Sequence, residues 1–153
     1  MAETQEATTG YMGEVWLYNG TALYELNQVK SFQVPGGGQR EQLETTHLKS
    51  GNGNWRREYV STFYEDSEFE VTLNSRPMST TDTLLETASK ADDVRAMKVV
   101  LPENGEPTAQ IELTAKCVGY SRGEVTADGL MEATATFRVV TIDNIEAYVA
   151  PTP

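Results

Sequence analysis

Few side chains in this sequence have the type and spacing that catalysis or metal binding demands. His47 is the only histidine, and no cysteine or second histidine stands at ligand spacing from it. Cys117 is the only cysteine, so no disulfide can form within one chain. It falls on the apolar side of an alternating segment, where a thiol serves as a small hydrophobe. Gly36-Gly37-Gly38-Gln39-Arg40 is rich in glycine but lacks the Gly-Lys-Ser/Thr ending that sets a lysine on phosphate and a hydroxyl on magnesium. Carboxylates are abundant, and Glu68/Glu70, Glu103/Glu106 and Asp92/Asp93 are close enough in sequence to be weighed as acid and base pairs. Each pair falls where a solvated strand face or a turn places acids anyway. No Gly-x-Ser-x-Gly elbow is present. These residues predict a chain that is not an enzyme and takes neither cofactor nor metal.

The charge balance narrows the partners. Twelve basic residues stand against 23 acidic ones in 153, a formal charge of −11. Proteins that grip a phosphate backbone need clustered Lys and Arg to displace counterions, so nucleic acid is not expected as a tight ligand. No run approaches the ~18 apolar residues of a spanning helix, and Met-Ala-Glu-Thr-Gln-Glu has no basic start or apolar stretch. A soluble protein without a signal peptide or membrane partner is the expectation. About 150 residues bury roughly 70% of the surface of the unfolded chain, enough for a core without staples.

Those residues must be positioned by strands, because two-residue alternation dominates the apolar pattern. Residues 14–18 and 22–26 flank Asn19-Gly20-Thr21 and predict a hairpin. Phe32 and Val34 continue a third extended piece, which Pro35 ends. From 35 to 57 periodicity disappears, which predicts a long loop with Leu48 and Trp55 as apolar anchors for a partner. Strands resume at 58–63 and 68–73; in the second, Phe69, Val71 and Leu73 share one face and Glu68, Glu70 and Thr72 the other. Ser79 with Asp82 three residues on opens a helix at about 80–91, striped by Leu84, Leu85, Ala88 and Ala91. Extended blocks at 95–101, 109–119 and 130–142 alternate as antiparallel strands packed on one side do.

Four segments carry a resemblance: Leu43-Glu44-Thr45-Thr46-His47-Leu48, Arg56-Arg57-Glu58-Tyr59, Glu65-Asp66-Ser67-Glu68-Phe69-Glu70-Val71, and Ala133-Thr134-Ala135-Thr136-Phe137-Arg138-Val139. In that order, with the helix between strand pairs, residues 13 to 142 resemble the major tail (tail tube) protein of long, non-contractile-tailed bacteriophages. The resemblance implies a mainly β fold, an antiparallel β-sandwich or half-barrel with one flanking helix at about 80–91, the long loop 35–57 and flexible terminal arms. It implies a single domain, with an N-terminal arm (1–12), a core (13–142) and a C-terminal arm (143–153).

The implied role is structural: hexameric rings stacked into the tube of a virion, through whose acidic channel DNA passes without specific binding. The implied partners are further copies of the chain and neighbouring tail proteins, namely tape measure, terminator and tail tip. Made in the host cytoplasm, the chain would end in the virion. The polar faces make Glu68, Glu70, Thr72, Glu112, Glu132 and Thr134 candidates to line the channel, although alternation does not say which polar face points inward. Leu48, Trp55, Arg56 and Arg57 become candidate ring-to-ring contacts. The alternative is a β-sandwich module that binds glycan or protein through Trp55, Tyr59 and Tyr64, as a tail-tip or adhesin accessory.

Overall fold

The alternating blocks become strands. A computed structural model describes residues 9–36, 40–49, 55–64 and 67–150. In chain order it contains β1 (Glu14–Tyr18), β2 (Leu23–Glu25), β3 (Val29–Phe32), β4 (Arg40–Glu44), β5 (Tyr59–Tyr64) and β6 (Glu68–Asn74). Then follow α1 (Thr80–Ala91), β7 (Val94–Glu103), β8 (Glu106–Arg122), β9 (Glu132–Ile142) and β10 (Glu146–Ala147). The chain divides into two compact units, one reaching to Pro35 and resuming at Glu68, the other between Gly36 and Ser67.

The larger unit is one antiparallel sheet in the order β2-β1-β7-β8-β9-β6-β3, with β10 added to β8. Most of its buried apolar positions turn to one side: Val15 and Leu17, Met97 and Val99, Ile111 and Leu113, Ala133, Ala135 and Phe137, and Phe69, Val71 and Leu73 join one buried cluster. Phe69 and Phe137, opposite each other in the register, stack at 5.4 Å between centroids. Four strands separate β1 from β3, which in a flat sheet would hold them about 24 Å apart. Yet a Cβ on Gly13, next to β1, would lie 3.0 Å from the ring of Phe32 on β3. The sheet therefore curls until β3 comes against the residue that leads into β1, which makes the half-barrel. Register shifts in β8, between Thr114 and Ala115 and between Cys117 and Gly119, are irregularities of the kind that bend a strand.

Helix α1 closes the open side. The Ser79 hydroxyl accepts from Asp82 N at 3.2 Å, and Asp82 Oδ2 accepts in return from Met78 N at 3.2 Å. This satisfies two groups that a helix start would otherwise leave unpaired. Leu84, Leu85 and Ala88 enter the same core as the strands. Asp92 stops the helix in the left-handed conformation, at φ 49°.

Two expectations shift. The segment 35–57 is not loop throughout: Arg40–Glu44 forms β4, antiparallel to β5. All five β4 residues are exposed, so its two faces carry no apolar alternation to announce a strand. The C-terminal arm is not free along its described length either. Asp143 N donates to Glu112 O, Tyr148 N to Thr108 O, and β10 pairs with Ala109 and Gln110. The glycines and Gln39 of the Gly36–Arg40 motif, residues 50–54, the 65–66 turn, and residues 1–8 and 151–153 of the arms lie outside the described residues, save Gly36 itself.

Candidate assembly surfaces

Strand alternation leaves the larger unit with a second, outward face, and register decides who meets on it. Glu68 stands opposite Arg138, Glu70 opposite Thr136, Thr72 opposite Thr134 and Asn74 opposite Glu132. On the other side of β9, Thr134 meets Ser121, Arg138 meets Lys116, and Thr141 meets Thr114 with hydroxyls 2.6 Å apart. Glu112 lies farther along β8, opposite Lys98 of β7. All six residues proposed for the channel thus share one face, with a belt of hydroxyls through its middle.

That face is less acidic than its glutamates suggest. Arg138 Nε lies 3.4 Å from Glu68 Oε1, and Lys30 Nζ pairs with Glu132. Lys116 Nζ reaches Asp92 at 3.6 Å. Glu70 and Glu112 face a threonine and a lysine whose ammonium turns elsewhere.

Lys98 is buried on this side, and the sequence did not single it out. Its ammonium sits 5.1 Å from the Trp16 ring centroid and 5.6 Å from that of Tyr148. The C-terminal arm thereby covers β7 and β8: Gln110 Nε2 donates to Glu146 Oε1 at 2.7 Å, and Val149 N donates to Gln110 Oε1 at 3.2 Å. Burial pushes the Glu14 carboxyl up from its ordinary range, helped by its hydrogen bond with Glu25. A lysine inside Met97-Lys98-Val99-Val100 was the available signal, since a charge in an apolar run needs partners.

Behind α1 a second polar cluster fixes the helix to β8. Tyr120 OH donates to Asp82 Oδ1 at 2.7 Å, and Arg122 grips the same carboxylate through Nε at 3.1 Å and a terminal nitrogen at 2.9 Å. Arg122 also reaches Glu86 at 3.3 Å. Arg122 holds the Asp82 carboxyl below the usual range, while burial and this carboxylate raise the Tyr120 phenol.

Among its described residues the smaller unit is a hairpin of β4 and β5 whose side chains are nearly all exposed. Thr45 N donates to Glu58 O, Gln42 and Ser61 bond side chain to side chain, and Arg57 lies 3.7 Å from Glu44. His47 Nε2 lies 3.8 Å from Glu58 Oε2, and its Nδ1 accepts from Lys49 N at 3.2 Å. Leu48 and Trp55 hold their whole side chains in water, at 105% and 99% exposure, and Arg56 is exposed beside them. Trp55 does so at φ 57°, a conformation unusual for a bulky residue. The four proposed contact residues lie on the two arms of this hairpin, on either side of residues 50–54.

No protein-family model and no curated protein matches the chain. Solved structures do. One chain of the anti-feeding prophage baseplate superposes with a TM-score of 0.68 at 11% identity, over 92% of this chain and 96% of that one. A chain from the SPP1 tail tube gives 0.65 at 11% identity, over 94% and 81%. This is the tail-tube fold. A tail subunit of the empty gene transfer agent particle, refined with C6 symmetry, shares it at a TM-score of 0.67 and 12% identity, over 94% of this chain and all of that one.

Proposed function

We propose that the chain is a structural subunit of a phage-type tail tube, built as six-membered rings that stack around a channel. The observation that carries this reading is the likeness, over nearly the whole length of the sequence, to chains of a tail tube, a gene transfer agent tail and an anti-feeding prophage baseplate. The C6 symmetry of the gene transfer agent tail supports six as the ring number.

In this reading the outward face around Glu68, Glu70, Thr72, Glu112, Glu132 and Thr134 lines the channel. Its carboxylates repel phosphates, and the cations beside Glu68 and Glu132 are already paired, so passing DNA finds little to hold. The hairpin tip joins rings through Leu48, Trp55, Arg56 and Arg57, and the terminal arms reach neighbouring subunits. Tape measure, terminator and tail-tip proteins are the remaining partners. A head-to-tail surface keeps the stack open at both ends, so another protein must set its length. The subunit performs no reaction; it serves in the virion after synthesis in the host cytoplasm.

Negative-stain microscopy of the purified protein tests the reading. Tubes or six-membered rings are expected as concentration rises. A chain that stays monomeric at every concentration and binds a glycan array would overturn it in favour of a recognition module.

A further inference from the structure

A groove of about 550 Å³ runs between the residues that lead into β1 and the free side of β3. Tyr11, Met12, Phe32, Val34 and Leu101 supply most of its apolar wall. β3 ends the sheet and pairs only with β6 among the described residues, so its other side offers backbone groups to a further strand. Tyr11, Met12 and Val34 each leave more than half their surface in water. Met12 is held at φ 75°, a strained setting that persists only where surrounding structure enforces it. Lys30, also in the groove, is already paired with Glu132, so the groove does not present a bare cation to an anionic ligand.

The occupant can be argued from charge and composition. Pro102 lines the groove, and a Cβ on Gly105 of the β7–β8 turn would lie 3.7 Å from the Tyr11 ring, which sets the acids of that turn, Glu103 and Glu106, beside the groove. The hairpin tip carries the complement: Leu48 and Trp55 for the apolar wall, and Lys49, Arg56 and Arg57 for the acids. A tryptophan and a leucine are what a groove of this size can bury. Residues 1–8, which precede the groove in the chain, are Met-Ala-Glu-Thr-Gln-Glu-Ala-Thr and bring no aromatic or branched apolar side chain.

We infer that the groove between Met12 and β3 receives the hairpin tip of a second copy, with Trp55 and Leu48 seated against Phe32, Val34 and Leu101. The inference rests on the tube reading for the presence of that second copy. It names the receiving half of the contact, and makes it heterologous, because tip and groove are different surfaces of one chain.

Two pairs of substitutions, all at exposed side chains, separate the halves. Leu48→Ser with Trp55→Ser removes the tip; Met12→Glu with Val34→Glu blocks the groove. Each double variant should melt as the parent does and form no tubes. Mixed, they should associate, since each supplies what the other lacks, and sedimentation should show small complexes that do not elongate. A Val34→Cys, Leu48→Cys variant should form covalent ladders between copies on non-reducing gels. Tubes from the groove variant, no association on mixing, or a crosslink confined within single chains would each overturn the groove. A parent protein that forms neither rings nor tubes would instead overturn the tube reading.

Discussion

Asp82 lies almost wholly buried in the first turn of α1, and Met78 N, Tyr120 OH and two nitrogens of Arg122 converge on its carboxylate. Removing it leaves the tyrosine and the helix start without their acceptor. Asp82→Ala should cost about 3 kcal/mol, toward the low end for a broken buried pair because Arg122 is half in water. At roughly 2–4 °C per kcal/mol for a chain of this size, melting should fall by about 6–12 °C. The folded carboxyl is depressed, so its contribution is present above the ordinary aspartate range near pH 4 and is lost as pH falls through the folded value. Asp82→Asn should therefore flatten the acid limb of a stability-against-pH curve. Glu14 has the opposite sign. Its raised pKa means that ionising it in the fold is unfavourable, a penalty absent at low pH and growing as pH rises through the folded value. Glu14→Gln should leave melting unchanged near pH 3 and raise it at pH 7; equal effects at both would refute the desolvation argument.

At the scale of elements, closure of the sheet depends on a glycine that has no need of an unusual backbone. A side chain on Gly13 would press the Phe32 ring, which lies between β3 and the groove, whereas Gly119 on β8 has open space around it. Gly13→Val should destabilise by about 1–3 kcal/mol through overpacking, while Gly119→Ala should be close to neutral. Denaturant midpoints compare the two, and equal midpoints would mean that Gly13 and Phe32 do not meet as described. This closure was not legible in the sequence, because alternation assigns faces but not the curl that brings β1 to β3. The elements themselves were: helix 80–91 followed from its cap and apolar stripe, and β6 from strict alternation. What escaped was whatever lacks a buried face. β4 is exposed on every residue, and β10 is two residues long, so neither leaves a periodic trace. The channel candidates fell on one face because the period of two is robust; the partners that temper their charge, Arg138 and Lys30, required the register. The hairpin tip could be suspected from Trp55 and Leu48 alone, since apolar anchors in a polar stretch stand out. Its receiving groove could not, because Tyr11, Val34 and Leu101 are far apart in sequence.

For the whole molecule, the proposed tube makes the net charge of −11 act through copies. In a six-membered ring any carboxylate on the channel side repeats six times, so a single substitution there changes the charge of each layer by multiples of six. Glu70 is the cleanest probe, since it faces Thr136 rather than a cation, whereas altering Glu68 also frees Arg138. Glu70→Lys converts six negative charges per ring into six positive ones at exposed positions, with no core side chain disturbed. Tubes should therefore assemble as before. Phosphates would then meet rings of ammonium groups, and DNA release should slow, most strongly at low ionic strength. Raising the salt shortens the Debye length from about 10 Å at 0.1 M to about 3 Å at 1 M and should restore the rate. Dye-monitored ejection from particles rebuilt with this subunit measures both effects. A rate that is unchanged at low salt would remove the Glu70 face from the channel and turn the opposite orientation of the subunit into the one to test.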